Sequence, residues 1–150
     1  MIPQPIHPPI PSAPLTVLGL GVDIVETARL AAAVVRHGEA FLDRVFLESE
    51  RSYCERAGVP ERCYAARFAA KEAVAKAVGT GIGGQLGWRD IEVCRAESGA
   101  PSIRLHGTGA ETAARLGIRE LRLSLSHSDH YAVASAIALG AVTPGSQSGT

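Results

Sequence analysis

Apolar positions along the chain follow two periods, and the points where one gives way to the other mark out the elements. Thr16-Val-Leu-Gly-Leu-Gly-Val-Asp-Ile-Val25 is apolar and rich in β-branched residues, with prolines before it and a helical pattern after it. It predicts a buried strand in which Asp23 is the one charge. From Glu26 to His37 the period is helical, with Leu30, Ala33 and Val34 on one side, Arg29 and Arg36 on another, and Gly38 as the stop. A short helix is predicted from Ser49, as its cap, to Ala57, ended by Gly58. A long helix then runs from Pro60 or Glu61 to Gly79. In it Ala66, Ala69, Ala70, Ala73, Val74 and Ala77 obey the i, i+3, i+4, i+7 rule, so one face of small side chains can pack closely on what lies beneath.

The second half changes character. Trp88 to Cys94 and Ser102 to His106 read as strands joined through Glu97-Ser-Gly-Ala-Pro101, and Thr108 to Leu116 as a helix ended by Gly117. Leu121 to Ser126 alternates, and Tyr131 to Leu139 is small and apolar enough for a central strand. The short link His127-Ser-Asp-His130 makes this pair an antiparallel hairpin. The order of elements predicts an α+β domain, a mainly antiparallel sheet packed with a long central helix.

Length and composition narrow the picture. At 150 residues the chain can bury one core without disulfides or metal. Six prolines between Met1 and Pro14 predict an extended arm over 1–14, leaving a folded unit over 15–142 and an unstructured tail over 143–150. Lys plus Arg equals Asp plus Glu at 15 each, so there is no basic excess of the kind that nucleic acid attracts. No run approaches the roughly 18 to 20 apolar residues of a membrane span, and the first residues lack the basic-then-apolar order of a secretory signal. Cys54, Cys63 and Cys94 are odd in number and lack CxxC spacing, and they read as free thiols in a reducing cytoplasm.

The candidate chemistry sits on the long helix, in Arg67-Phe-Ala-Ala-Lys-Glu-Ala-Val-Ala-Lys-Ala-Val-Gly-Thr-Gly81. Glu72 and Lys76 are four apart and share a face, which is also what ordinary surface ion pairs do. Gly79, Thr80 and Gly81, with Gly83 and Gly84 beyond, either cap the helix or let backbone amides approach phosphate oxygens. Asp23 has two readings as well: it caps the helix that begins near Glu26, or it joins Glu72 in holding Mg²⁺ for a phosphate-bearing substrate. His127 and His130 form an H-x-x-H pair with no third zinc ligand apparent.

Three segments together resemble the holo-[acyl-carrier-protein] synthases, the small 4'-phosphopantetheinyl transferases. They are Leu18-Gly-Leu-Gly-Val-Asp-Ile-Val25, then Arg67-Phe-Ala-Ala-Lys-Glu-Ala73 through Lys76 and Gly79-Thr-Gly81, and Ser124-Leu-Ser-His-Ser128 with Tyr131-Ala-Val-Ala134. The resemblance spans nearly all of Leu15 to Leu139 and implies the 4'-phosphopantetheinyl transferase fold. It implies transfer of the 4'-phosphopantetheine arm of coenzyme A to a serine of apo acyl carrier protein, releasing adenosine 3',5'-bisphosphate. By resemblance Asp23 and Glu72 hold Mg²⁺, and Lys76 neutralises or protonates the departing phosphate. Arg67, Gly79, Thr80, Gly81, Ser126 and His127 are implied to lie near the coenzyme, with Arg67 alternatively a carrier contact and Lys71 peripheral. Arg29 and Arg36 are expected to meet the acidic carrier. The single-half length implies a homotrimer with sites at its interfaces, to which Tyr131 to Leu139 contributes.

Two other readings remain: a trimer that binds coenzyme or carrier without turnover, and a metal-dependent phosphotransferase or hydrolase for another nucleotide. The chain departs from the usual family form in its proline-rich extension and in Val45-Phe-Leu-Glu-Ser-Glu50, where the pattern often has a threonine.

Overall fold

The computed structural model describes residues 14–141; the expected tail over 143–150 and, Pro14 apart, the arm over 1–14 lie outside them. The elements run β1 (Thr16–Glu26), α1 (Thr27–Val45), α2 (Glu48–Glu55), α3 (Pro60–Val78), a single 3₁₀ turn (Trp88–Asp90), β2 (Ile91–Arg95), β3 (Pro101–Leu105), α4 (Gly107–Arg115), β4 (Ile118–His127) and β5 (Tyr131–Gly140). Strands β1, β5 and β4 form one antiparallel sheet with β5 in the middle, and β2 pairs with β3 in a second. The architecture is the expected α+β one. Gly38 does interrupt α1, with φ 56° and ψ −140°, but the helix resumes beyond it to Val45.

Helix α3 is the centre of the molecule because its side chains are small. Pro60 starts it without forfeiting a hydrogen bond, and Gly79 ends it with φ 95°, a left-handed value that glycine takes without strain. Nine apolar residues from Ala65 to Val78 are buried, so the helix is enclosed on nearly every side and not along one stripe. On the sheet side it meets Ala132, Ala134, Ala136 and Ala138 of β5, all buried. A Cβ at Gly21 would sit 1.9 Å from the Ala73 carbonyl oxygen, and one at Gly19 would sit 1.9 Å from that of Ala77. Glycine is required there for the backbones to approach at all. Away from the sheet, Tyr64, Ala65 and Ala66 pack with Leu30, Phe41, Leu42 and Phe46.

Four local expectations change. Strand β1 is not buried on both faces: Leu20, Val22 and Ile24 are 68, 60 and 63% exposed, because α3 covers only the face carrying Gly19, Gly21 and Asp23. Ser49 does not cap α2, which starts at Glu48 after Leu47, and its hydroxyl donates to Glu92 instead. Cys54 and Cys63 are joined in a disulfide, Cα to Cα 5.3 Å, since the turn over 56–59 folds α2 back along α3; only Cys94 is free. Lys71 is not peripheral. It is fully buried, and its Nζ donates to Glu50 Oε1 (2.6 Å) and to the carbonyls of Val45 (2.8 Å) and Trp88 (3.0 Å). Glu50 also accepts from the amides of Leu47 and Val93, which satisfies the buried carboxylate as well as the buried ammonium.

Candidate active site

The glycine contacts decide where the charges of α3 fall. Gly19 lies against Ala77 and Gly21 against Ala73, so the strand and the helix run in opposite senses, and the next inward-facing strand residue, Asp23, arrives beside Glu72 and Lys76. Lys76 Nζ donates to the Val22 carbonyl (2.9 Å) and to Asp23 Oδ1 (3.2 Å). Asp23 is therefore no helix cap; Glu26 occupies that position with no side-chain bond. The α1 N-terminus is tied instead to the β4–β5 turn, where the Thr27 amide donates to the His130 carbonyl (2.9 Å).

Asp23, Glu72 and Lys76 line a cavity of about 590 Å³ whose apolar wall includes Leu30, Phe41 and Phe68 and whose rim carries Arg29. Burial, and after it the charge of Asp23, holds the Glu72 carboxyl above the usual carboxylate range, while Lys76 pulls it back. Two carboxylates thus share one cavity with one lysine, which is bonded to Asp23. That donor set suits a hard divalent cation which keeps open positions for water and phosphate oxygens. Among the described residues there is no group of three or more His, Cys, Asp or Glu that could form an all-protein metal cage. A magnesium ion held partly by its substrate does not need one.

A second cavity, of about 460 Å³, opens on another flank of α3. It is lined by Tyr53 of α2, the turn over 57–59, Arg62, Cys63 and Arg67 of α3, Arg95, and Leu123 to Leu125 with His127 of β4. Its basic groups are Arg62, Arg67, Arg95 and His127, and Arg62 is paired with Asp129 at 3.0 Å. Arg67 is buried, its guanidinium 4.2 Å from the Tyr53 ring centroid with Arg95 5.3 Å from the same ring. Nη1 of Arg67 donates to Cys63 Sγ (3.2 Å), and its Nε has no partner among the described residues. Loss of water around this cation pushes its pKa down. A desolvated guanidinium without a bonded carboxylate, facing a cavity, is equipped to take an anion.

Gly79, Thr80, Gly81, Ser126 and Arg36 lie outside both cavities. The amides of Gly79 and Gly81 donate to the Ala75 carbonyl (3.0 and 3.2 Å), and Thr80 Oγ1 donates to the Gly81 carbonyl, so this loop spends its donors on closing the helix. Ser126 and His127 are neighbours on β4 and so point to opposite faces of the sheet; only His127 reaches the basic cavity. Arg36 is exposed on α1, one face with Arg29. Sequence reasoning missed Arg62, Arg95 and Tyr53, which no spacing connects to Arg67. For Lys71 a signal existed: it falls between buried Ala70 and Ala73 on a helix buried nearly all round.

An α+β domain with a carboxylate pair on one flank of a central helix and a basic cavity on another describes an enzyme that handles a phosphorylated substrate. The family model of the 4'-phosphopantetheinyl transferase superfamily matches residues 19–136, and the chain belongs to that family, as an enzyme of the holo-[acyl-carrier-protein] synthase type. It is 48% identical over 122 residues to the holo-[acyl-carrier-protein] synthase of Koribacter versatilis, covering 81% of this chain and 97% of that one. The crystal structure of the Neisseria meningitidis holo-[acyl-carrier-protein] synthase superposes with a TM-score of 0.78 at 34% identity, over 82% of this chain and 98% of the other. The Helicobacter pylori synthase in complex with coenzyme A gives 0.71 at 34% identity, over 79% and 98%.

Proposed function

We propose that the protein transfers the 4'-phosphopantetheine arm of coenzyme A to a serine hydroxyl of an apo acyl carrier protein, with Mg²⁺, releasing adenosine 3',5'-bisphosphate. The observation that carries this reading is the meeting of Asp23, Glu72 and Lys76 in one cavity. Asp23 and Glu72 would hold Mg²⁺, which when bound neutralises charge on the pyrophosphate. Phosphoryl transfer otherwise asks for positioning and charge compensation from the protein. Glu72, at the reacting centre, is the group we assign to take the serine proton, directly or through a water. Lys76 compensates charge on the departing phosphate. The apolar wall at Leu30, Phe41 and Phe68 excludes water and receives the uncharged part of the arm.

The basic cavity with Arg67 and His127 takes the phosphate-bearing nucleotide end of the coenzyme. Arg29, on the rim of the acidic cavity, and Arg36, two turns along α1, form the face offered to an acidic carrier. The open sheet face with Leu20, Val22, Ile24, Tyr131 and Ile137 is apolar beyond what a free surface needs, which supports association into a homotrimer. Ser126, on that open face, then serves a site only across the subunit boundary. We assign the enzyme to the cytoplasm.

Incubation with coenzyme A, Mg²⁺ and a panel of apo carrier proteins should add the mass of one phosphopantetheine to a carrier, read by intact-mass spectrometry. A coenzyme retained without any mass gain would instead mark a binding module, and coenzyme consumed while every carrier stays unmodified would mark a hydrolase. Either result overturns the transferase reading.

A further inference from the structure

We propose that Cys54 and Cys63 are a thiol-exchange site that sets how tightly the basic cavity holds its anion: firmly when oxidised, weakly when reduced. This rests on the reading of that cavity as the seat of the coenzyme's nucleotide phosphate. The disulfide ties α2 to α3 across the turn over 56–59, and Ala57, Gly58 and Val59 of that turn line the cavity together with Cys63 itself. Cys54 is fully buried and Cys63 is half-buried at the cavity wall. A low-molecular-weight thiol can therefore reach the sulfur of Cys63, with Cys54 as the leaving group.

Arg67 connects the sulfur chemistry to the anion. Its hydrogen bond to Cys63 Sγ is the only one its side chain makes among the described residues. A disulfide sulfur is neutral and a poor acceptor, so the guanidinium keeps its charge for a ligand in the cavity. Reduction leaves a thiol 3.2 Å from the same nitrogen, a setting that favours the thiolate. A thiolate there pairs with Arg67 and competes with phosphate for it. Reduction also removes the covalent tie between the C-terminal end of α2 and α3 beside Tyr53, whose ring stacks on Arg67. Both consequences weaken anion binding, and neither touches Asp23, Glu72 or Lys76.

The exchange balances with two thiols. The first attacks Cys63 Sγ as thiolate; the disulfide breaks and Cys54 leaves as a thiolate that takes up a proton. The second attacks the outer sulfur of the resulting mixed disulfide and releases Cys63. Two electrons and one proton pass from the two small thiols to the cysteine pair, the second proton goes to water because Cys63 stays a thiolate beside Arg67, and one small-molecule disulfide is formed. In a reducing compartment a disulfide is usually of this transient or sensing kind.

The test pairs a thiol count with kinetics on the full chain. Alkylation under denaturing conditions should label one cysteine, Cys94, in air-oxidised protein and three after dithiothreitol. Reduction should raise the KM for coenzyme A about tenfold, the size of one charge-assisted hydrogen bond, and leave kcat unchanged. Cys63→Ser should show one KM with and without dithiothreitol. Three labelled cysteines without reductant, or a KM that stays level or falls when the count goes from one to three, overturns the switch. Arg67→Ala separates the two readings: if it raises the KM while reduction does not, the cavity assignment stands and the switch falls, and if it leaves the KM unchanged both are withdrawn.

Discussion

The acidic cavity at Asp23 and the basic cavity at Arg67 share one helix, yet they are assembled in different ways. The acidic one needs a single i, i+4 pair on α3 and one residue of β1, brought together by two glycines lying against alanines. The basic one draws on α2, the turn after it, α3, the residue that ends β2, Pro101 at the start of β3, and β4. A charge pair within one turn of one helix inherits its geometry from the helix, and only Asp23 has to be brought to it. A site built from six segments exists only once each of them has packed.

The contrast yields four measurements. Lys71→Met removes the buried tie between α3 and α2 and leaves Glu50 buried without its cation, so unfolding by denaturant should show a loss of about 3–5 kcal/mol. A wild-type midpoint would mean that α2 is not held to α3 by this pair. Glu72→Gln should lower kcat about 10²- to 10³-fold with little change in the KM for coenzyme A. A near-normal rate would remove Glu72 from the reacting centre. Arg67→Ala should act the other way round, raising that KM about tenfold with kcat held, since it withdraws one charged hydrogen-bond donor. If both variants changed the same parameter, the division of labour between the cavities would fail.

The smallest effect is on pH dependence. Because the folded protein holds the Glu72 carboxyl above its usual range, the native state binds more protons than the unfolded chain between the ordinary glutamate value and the raised one. Stability of the metal-free protein should therefore fall as pH rises through that window, by an amount Glu72→Gln abolishes. Thermal melts in a chelator across mildly acidic pH read this directly. A melting temperature that instead rises through the window by an amount Glu72→Gln removes would reverse the assignment.

Much of the fold was legible because it is local. The start of α3 at Pro60, its end at Gly79, the β4–β5 hairpin and the β2–β3 pair all follow from period, turn residues and caps within a few positions. Where local reading went astray, the deciding partner lay in another element. Leu20, Val22 and Ile24 have the composition of a buried strand, but only one of their strand's faces meets a helix. Cys54 and Cys63 have no recognisable spacing, but the turn over 56–59 puts them in contact. Lys71 looks like a surface lysine until Glu50, from another helix, is seen beside it.

By itself the sequence determined which groups could act and on which face of α3 they stand, since 3.6 residues per turn puts Glu72 beside Lys76 whatever the rest of the chain does. It also carried the family, which the match over residues 19–136 bears out. Only the tertiary structure decided that Asp23 belongs with that pair and not at a helix cap, that four basic groups face one cavity, and that two cysteines close on each other beside Arg67. The reason is physical: helical and strand periods specify neighbours within an element, whereas neighbours between elements depend on how closely backbones can approach. Here that approach is set by Gly19 and Gly21 against Ala77 and Ala73.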